Sequence, residues 1–247
     1  MEINQFSERA LELYKSQDSF VAIIYLCQLG DPRLSLNSLA DLMRHQYWQE
    51  KDLVSALAIA RAGIQFGLQT GSDFDATDPG LAYELRSAAK GFAYNFASFA
   101  WRGWAEPGVI ITIADQAAGF DAAKVNLRLA LELERGDLPT SRAYWMLAAY
   151  YLAEAKFELA IKNFERAISF AGRANTPIDE LLNHGYVLIA KMLQSENDLA
   201  LQEDYAKLKS AFLNVEHGED YIQQLETAHR VFQDKKYLDV IDSWDGG

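Results

Sequence analysis

Apolar residues along this chain recur three and four places apart, and alternating strand-like runs are almost absent. Leu81, Leu85, Ala88, Phe92, Phe96 and Phe99 follow that spacing, and so do Phe157, Ala160, Ile161, Phe164, Ala167 and Ile168. Side chains spaced this way share one face of an α-helix. The pattern predicts an all-α protein of about a dozen short helices and no sheet. The five prolines, Pro32, Pro79, Pro107, Pro139 and Pro177, interrupt no periodic segment. Pro32, Pro79 and Pro177 follow Asp31, Asp78 and Thr176, an N-cap and then proline at the first helical position, where its missing N–H costs nothing. Gly119, Gly136 and Gly172 follow periodic stretches and are expected as C-terminal caps.

The 247 residues are enough for one helical domain, or two small ones, without disulfide or metal support. Links between periodic segments are short, so sequential helices are expected to pack antiparallel. The longest link, Gln69–Gly80, is polar and acidic. It is read as a pause between an N-terminal block, 1–70, and a C-terminal block, 79–247, of a single helical domain spanning 1–247. An aromatic-rich helix is expected over Ala82–Trp104. Phe92, Phe96 and Phe99 would form its core stripe, with Tyr94 and Trp101 on a second face that is either buried between helix pairs or used in a homodimer.

The net charge of −12 argues against nucleic acid and against anionic lipid, both of which call for a basic surface. The longest uncharged runs, Ser19–Gly30, Gly91–Trp101 and Ala143–Ala153, fall well short of the ~18 residues that span a bilayer. The N-terminus lacks the basic start and apolar stretch of a signal peptide, so a cytoplasmic protein is expected. Cys27 is the sole cysteine, which excludes an internal disulfide and a cysteine-based zinc site. It lies in the apolar run Phe20–Leu29 and is read as an inert thiol.

The chain also resembles itself. Laid over Tyr151–Ala171, the segment Tyr47–Gly67 matches Tyr47 to Tyr151, Glu50 to Glu154, Ala56 to Ala160, Ile64 to Ile168 and Phe66 to Phe170. Phe120–Ala130 joins the alignment through Phe120, Ala123, Asn126 and Ala130, opposite Phe157, Ala160, Asn163 and Ala167. Within Ser141–Ala174, the residues Tyr144, Leu147, Ala148, Tyr151, Ala160, Phe164 and Ala167 follow a helix-pair pattern of about 34 residues. This segment resembles the tetratricopeptide repeat family. Asn37–Thr70, Trp104–Asp137 and Ile178–Ala211 resemble it more weakly, with Arg44 and Ala114 departing from the pattern.

The resemblance implies a right-handed superhelix, an α-solenoid of antiparallel helix pairs, in which small residues such as Ala148 and Ala160 let paired helices cross closely. It also implies a concave groove lined by the first helix of each pair. Carried onto this sequence, the groove would present Ser38, Asp41, His45, Trp48 and Gln49 from one repeat, and Thr112, Asp115 and Gln116 from another. Arg142, Trp145, Ala149, Leu152 and Ala153 would follow, then Asp179, Leu182, Tyr186 and Ile189. With Trp145 and Ala149 where carboxylate-clamp members carry polar and basic groups, a clamp for acidic C-termini is not expected. The implied function is a non-enzymatic interaction module that binds an apolar or basic peptide or helix of another protein, anchored by Trp48, Trp145 and Tyr186. The alternatives are a self-associating structural protein and an enzyme with a site between helices.

No arrangement of residues points to catalysis, a metal or a cofactor. Glu226 and His229 share a helix face, and Glu216, His217, Glu219 and Asp220 cluster, but neither set has the spacing of a metal site. There is no glycine-rich phosphate loop and no Gly-x-Ser-x-Gly. Glu154 and Glu158, with Lys156 and Lys162 nearby, read as solvated charge. Finally, Tyr237, Val240, Ile241 and Trp244 within Val231–Gly247 follow helical spacing, which predicts a last helix capping the stack.

Overall fold

The computed structural model describes residues 5–195 and 198–234. Among them are eleven α-helices, one short 3₁₀ turn and no strand. The helices are α1 (Gln5–Ser16), α2 (Ser19–Cys27), α3 (Pro32–Trp48), α4 (Leu53–Asp73), α5 (Pro79–Phe99) and α6 (Ile113–Glu132), then α7 (Asp137–Ala153), α8 (Phe157–Arg173), α9 (Pro177–Gln194), α10 (Leu199–Phe212) and α11 (Gly218–Gln233); the 3₁₀ turn is Arg102–Trp104. The chain forms two compact units. One holds residues 1–100 and 108–134, the other 101–107 and 135–247.

The expected start signals hold where a carboxylate is present. Asp31 accepts from the Arg33 amide at 2.9 Å and Asp78 from the Leu81 amide at 2.9 Å, each ahead of a proline in the first turn. Thr176 makes no such bond. Its hydroxyl instead donates to the Ala171 carbonyl at 3.1 Å, tying α9 back to the end of α8. The glycines expected as C-caps are not C-caps. Gly119 is buried inside α6, Gly172 lies within α8, and Gly136 immediately precedes α7 with φ +86°. The apolar stripe ends before the backbone ladder does, so reading the stripe alone misplaces the stops. The left-handed residues after these helices are Lys51, Glu134, Ala155 and Asn175, with φ of 55°, 46°, 53° and 54°.

In the first unit each helix packs on the next in sequence, and α1, α2 and α3 also touch α3, α4 and α5 respectively. The link expected over 69–80 shortens to five residues because α4 continues to Asp73, and α4 and α5 on either side of it pack closely. Their approach is set by glycines four apart. A Cβ on Gly67 would stand 2.7 Å from the Leu85 carbonyl oxygen, and one on Gly63 would stand 2.6 Å from the Phe92 ring. Tyr47 stacks on Phe99 with ring centroids 3.8 Å apart, closing the core where α3 meets α5.

The second unit repeats the sequential packing over α7, α8, α9 and α10, with α7 also touching α9 and α11 returning onto α9. Its centre is Trp101, which is wholly buried and donates its indole N–H to the Ala149 carbonyl at 3.0 Å. Trp104, Trp145, Tyr186 and Phe232 surround it, with ring centroids 4.9–6.2 Å away. The expected helix Ala82–Trp104 therefore stops early. α5 ends at Phe99, and Trp101 turns out with extended φ −90° and ψ 118° into this second core. Gly103 permits the turn, since a Cβ there would lie 2.2 Å from the Trp101 ring.

The repeat expected at Trp104–Asp137 is not a helix pair, because α6 is a single helix and only the short 3₁₀ turn precedes it. The part that matched, Phe120–Ala130, lies on α6, and its preceding partner is α5, separated from it by residues 100–112. The three other segments each begin on one helix and end on the next: α3 and α4, α7 and α8, α9 and α10. The expected capping helix with Tyr237, Val240, Ile241 and Trp244 lies outside the described residues.

Candidate functional site

The residues expected on one groove fall in both units. In the first, Asp41 pairs with Arg44 at 2.6 Å along α3, and His45 Nε2 lies 3.1 Å from Glu50. Trp48 is 47% exposed, edge-on to Tyr47 and Phe99, with the Lys51 ammonium 5.5 Å from its ring centroid. Gln49 is exposed at the end of α3. Asp115 belongs to α6, where its carboxylate accepts from the Thr112 amide at 2.9 Å and the Thr112 hydroxyl at 2.6 Å in a capping box.

In the second unit the structure brings the expected residues together in pairs. Arg142 on α7 reaches Asp179 on α9, with Nε 2.9 Å from Oδ1. Trp145 and Tyr186 meet with ring centroids 5.5 Å apart. Both rings are buried, and Gln224 of α11 donates to the Tyr186 hydroxyl at 2.9 Å. Leu182 is half-buried. The face on which Trp145 and Tyr186 were expected to stand open is filled by the chain's own Trp101, Trp104 and Phe232.

An open apolar groove lies elsewhere, on α2, α4 and α6 of the first unit. Its main cavity is about 540 Å³, and a second of about 370 Å³ shares Ile23, Ala62 and Gln65 with it. Phe20 and Ile23 come from α2, Leu57, Ala58 and Ala62 from α4, and Ala114 and Ala118 from α6, with the buried Phe96 ring of α5 behind them. Phe20 and Val54 on the rim are 73% and 74% exposed. Asp115 is the one residue of the expected groove found here. The α4 lining runs from Val54 to Thr70, about 24 Å at 1.5 Å per residue. Compared with protein-family models and with curated proteins, the chain matches none.

The groove has a visible cause in the sequence. α2 reads SFVAIIYLC, apolar on every side, yet only Ala22 and Leu26 of it are buried. A helix without a polar face is ordinarily covered all round. Here one side packs against α1, α3 and α4, and the other is open. What could not be read from the sequence is which side stays open.

Charge in the groove is sparse. Arg61 makes no ion pair among the described residues, and its guanidinium lies over the Phe96 ring, 5.8 Å from the centroid. Cys27 lines the smaller cavity, and burial pushes its thiol up, which disfavours the thiolate. Asp52, at the head of α4, is pushed up by burial, but bonds from the Ser55 amide and the Tyr14 hydroxyl outweigh this and hold its carboxyl down. It ties α1 to α4 as a structural anion. Among the described residues no three His, Cys, Asp or Glu side chains stand together as metal ligands, and no helix is long and apolar enough to cross a membrane. Glu226 pairs with Lys209 at 2.9 Å, and the His229 ring faces Tyr205 edge-on with centroids 6.3 Å apart.

Proposed function

We propose that the chain is a non-enzymatic protein-interaction module that receives the apolar face of a partner helix in the α2–α4–α6 groove. The observation that carries this reading is α2 itself, whose Phe20 is left 73% exposed on the rim of two adjoining cavities that together are long enough for about four helical turns. Exposed apolar residues that line a shared concave surface mark interaction sites, whereas scattered ones do not. Helix-in-groove docking uses this geometry, with anchors on one stripe of the ligand.

We further read each unit as tetratricopeptide-like right-handed stacking. Sequential packing, contacts between α7 and α9, and left-handed residues in the tight interhelical turns support this. The docking face would then belong to the even-numbered helices of the first unit, in place of α3, α7 and α9. The test is capture from native lysate with the full chain, Val54→Asp and Leu159→Asp. A partner kept by the wild type and by Leu159→Asp but lost with Val54→Asp supports the reading. Partners insensitive to Val54→Asp refute it.

A further inference from the structure

We infer that the occupant of this groove is an acidic amphipathic helix, whose apolar stripe lies on α2, α4 and α6 and whose carboxylate pairs with Arg61. The inference rests on the docking reading above and goes beyond it by fixing the ligand's charge. Two ionisable side chains line the main cavity, Arg61 and Asp115. They are not equivalent. The Asp115 carboxylate is engaged by the Thr112 amide and hydroxyl and sits in the first turn of α6, where the helix dipole already offsets a negative charge. Arg61 has only the ring of Phe96. A ring accepts no full hydrogen bond, so the guanidinium keeps its N–H donors available, and a guanidinium matches a carboxylate in two parallel hydrogen bonds.

The context sharpens this. The whole chain carries −12, so a cation left without a counter-charge in an open apolar groove runs against the general trend. Leu57, Ala58 and Ala62 beside Arg61 carry no side-chain acceptor, and the acceptors elsewhere in the cavity are the neutral Ser19 and Gln65 and the already engaged Asp115. A basic ligand would bring a like charge up to Arg61 over desolvated surface, whereas an acidic one would find its complement there. The length of the floor, about 24 Å, suits a helix of about sixteen residues.

The probes are helical peptides of about sixteen residues that share one leucine stripe and carry Glu, Gln or Lys beside it. Fluorescence anisotropy with the full chain reads their affinities. The Glu peptide is expected to bind about fivefold more tightly than the Lys peptide, with Gln between them. Arg61→Glu is expected to reverse that order without abolishing binding, and added salt to flatten it. Equal affinities, or tighter binding of the Lys peptide, overturn the acidic assignment while leaving helix docking in place. Failure of all three peptides refutes the docking reading itself. A concentration-dependent dimer that Val54→Asp dissolves assigns the groove to a second copy and overturns the inference too.

Discussion

Replacing Trp101 tests whether the second unit is organised around a residue contributed from outside its main run of helices. The side chain is wholly buried, and an aromatic of this size buries roughly 200 Å². At about 25 cal/mol per Å² that corresponds to some 5 kcal/mol, and the Ala left behind recovers part of it. Measured Trp→Ala changes in cores cost about 3–5 kcal/mol, cavity included. The lost bond to the Ala149 carbonyl adds about 1 kcal/mol. Trp101→Ala is therefore expected to remove about 4–6 kcal/mol, a large share of the roughly 5–15 kcal/mol that holds a domain together. Trp101→Phe keeps most of the area and loses the donor, so about 2 kcal/mol is expected. The assay is native-state hydrogen exchange with mass spectrometry across a denaturant series, read on peptides from α7, α9 and α11. An independent perturbation is Gly103→Ala, whose Cβ would overlap the Trp101 ring and should cost about 1–3 kcal/mol in the same helices. A drop of less than about 1.5 kcal/mol in those helices on Trp101→Ala would refute the placement of Trp101 at the centre of this core.

Three further outcomes follow from geometry described above. Gly67→Ala should cost about 2 kcal/mol, because its Cβ meets the Leu85 backbone. Gly91→Ala, on exposed helix with nothing near, should gain about 0.5–1 kcal/mol; chemical denaturation of the two variants checks the contrast. Ala155→Gly should stabilise by about 0.5 kcal/mol in thermal melts, since φ 53° strains an L-residue by more than glycine's added chain entropy costs. Burial lowers the folded pKa of His229 below its ordinary value of 6.5. The unfolded chain then binds the proton more readily, so stability is full above pH 6.5 and declines as pH falls from there towards the folded pKa. His229→Gln should flatten that slope in urea titrations run from pH 8 to pH 5; an unchanged slope would sink the assignment.

The helices were legible because each is specified locally. Asp31 with Pro32, and Asp78 with Pro79, mark starts by a bond that spans three residues, and the apolar periods mark faces. The adjacency of α7 and α9, seen in Arg142 with Asp179 and Trp145 with Tyr186, was legible through the repeat resemblance. What covers a face was not. Trp48 and Trp145 look alike as large aromatics on first helices, yet one is exposed and the other buried, and the cover on Trp145 arrives from Trp101 and Trp104, some forty residues earlier. The open apolar groove hid for the same reason. The uniformly apolar α2 announced a surplus of hydrophobic surface, but its distribution between core and rim is set by α4 and α6 far along the chain.

The order in which this chain leaves a ribosome is out of step with the order in which it packs. Residues 101–107 belong to the second unit, although the helices on both sides of them belong to the first. Trp101 and Trp104 are thus synthesised before α6, but their surroundings include Phe232 near the end of α11. At about 5–20 residues per second, the two indoles wait on the order of ten seconds for their cover. Trp145 on α7 reaches them first, and Phe232 completes the cover last. The same interleaving means that no single cut of the gene yields both units whole: a fragment beginning at residue 135 lacks the tryptophans its helices enclose.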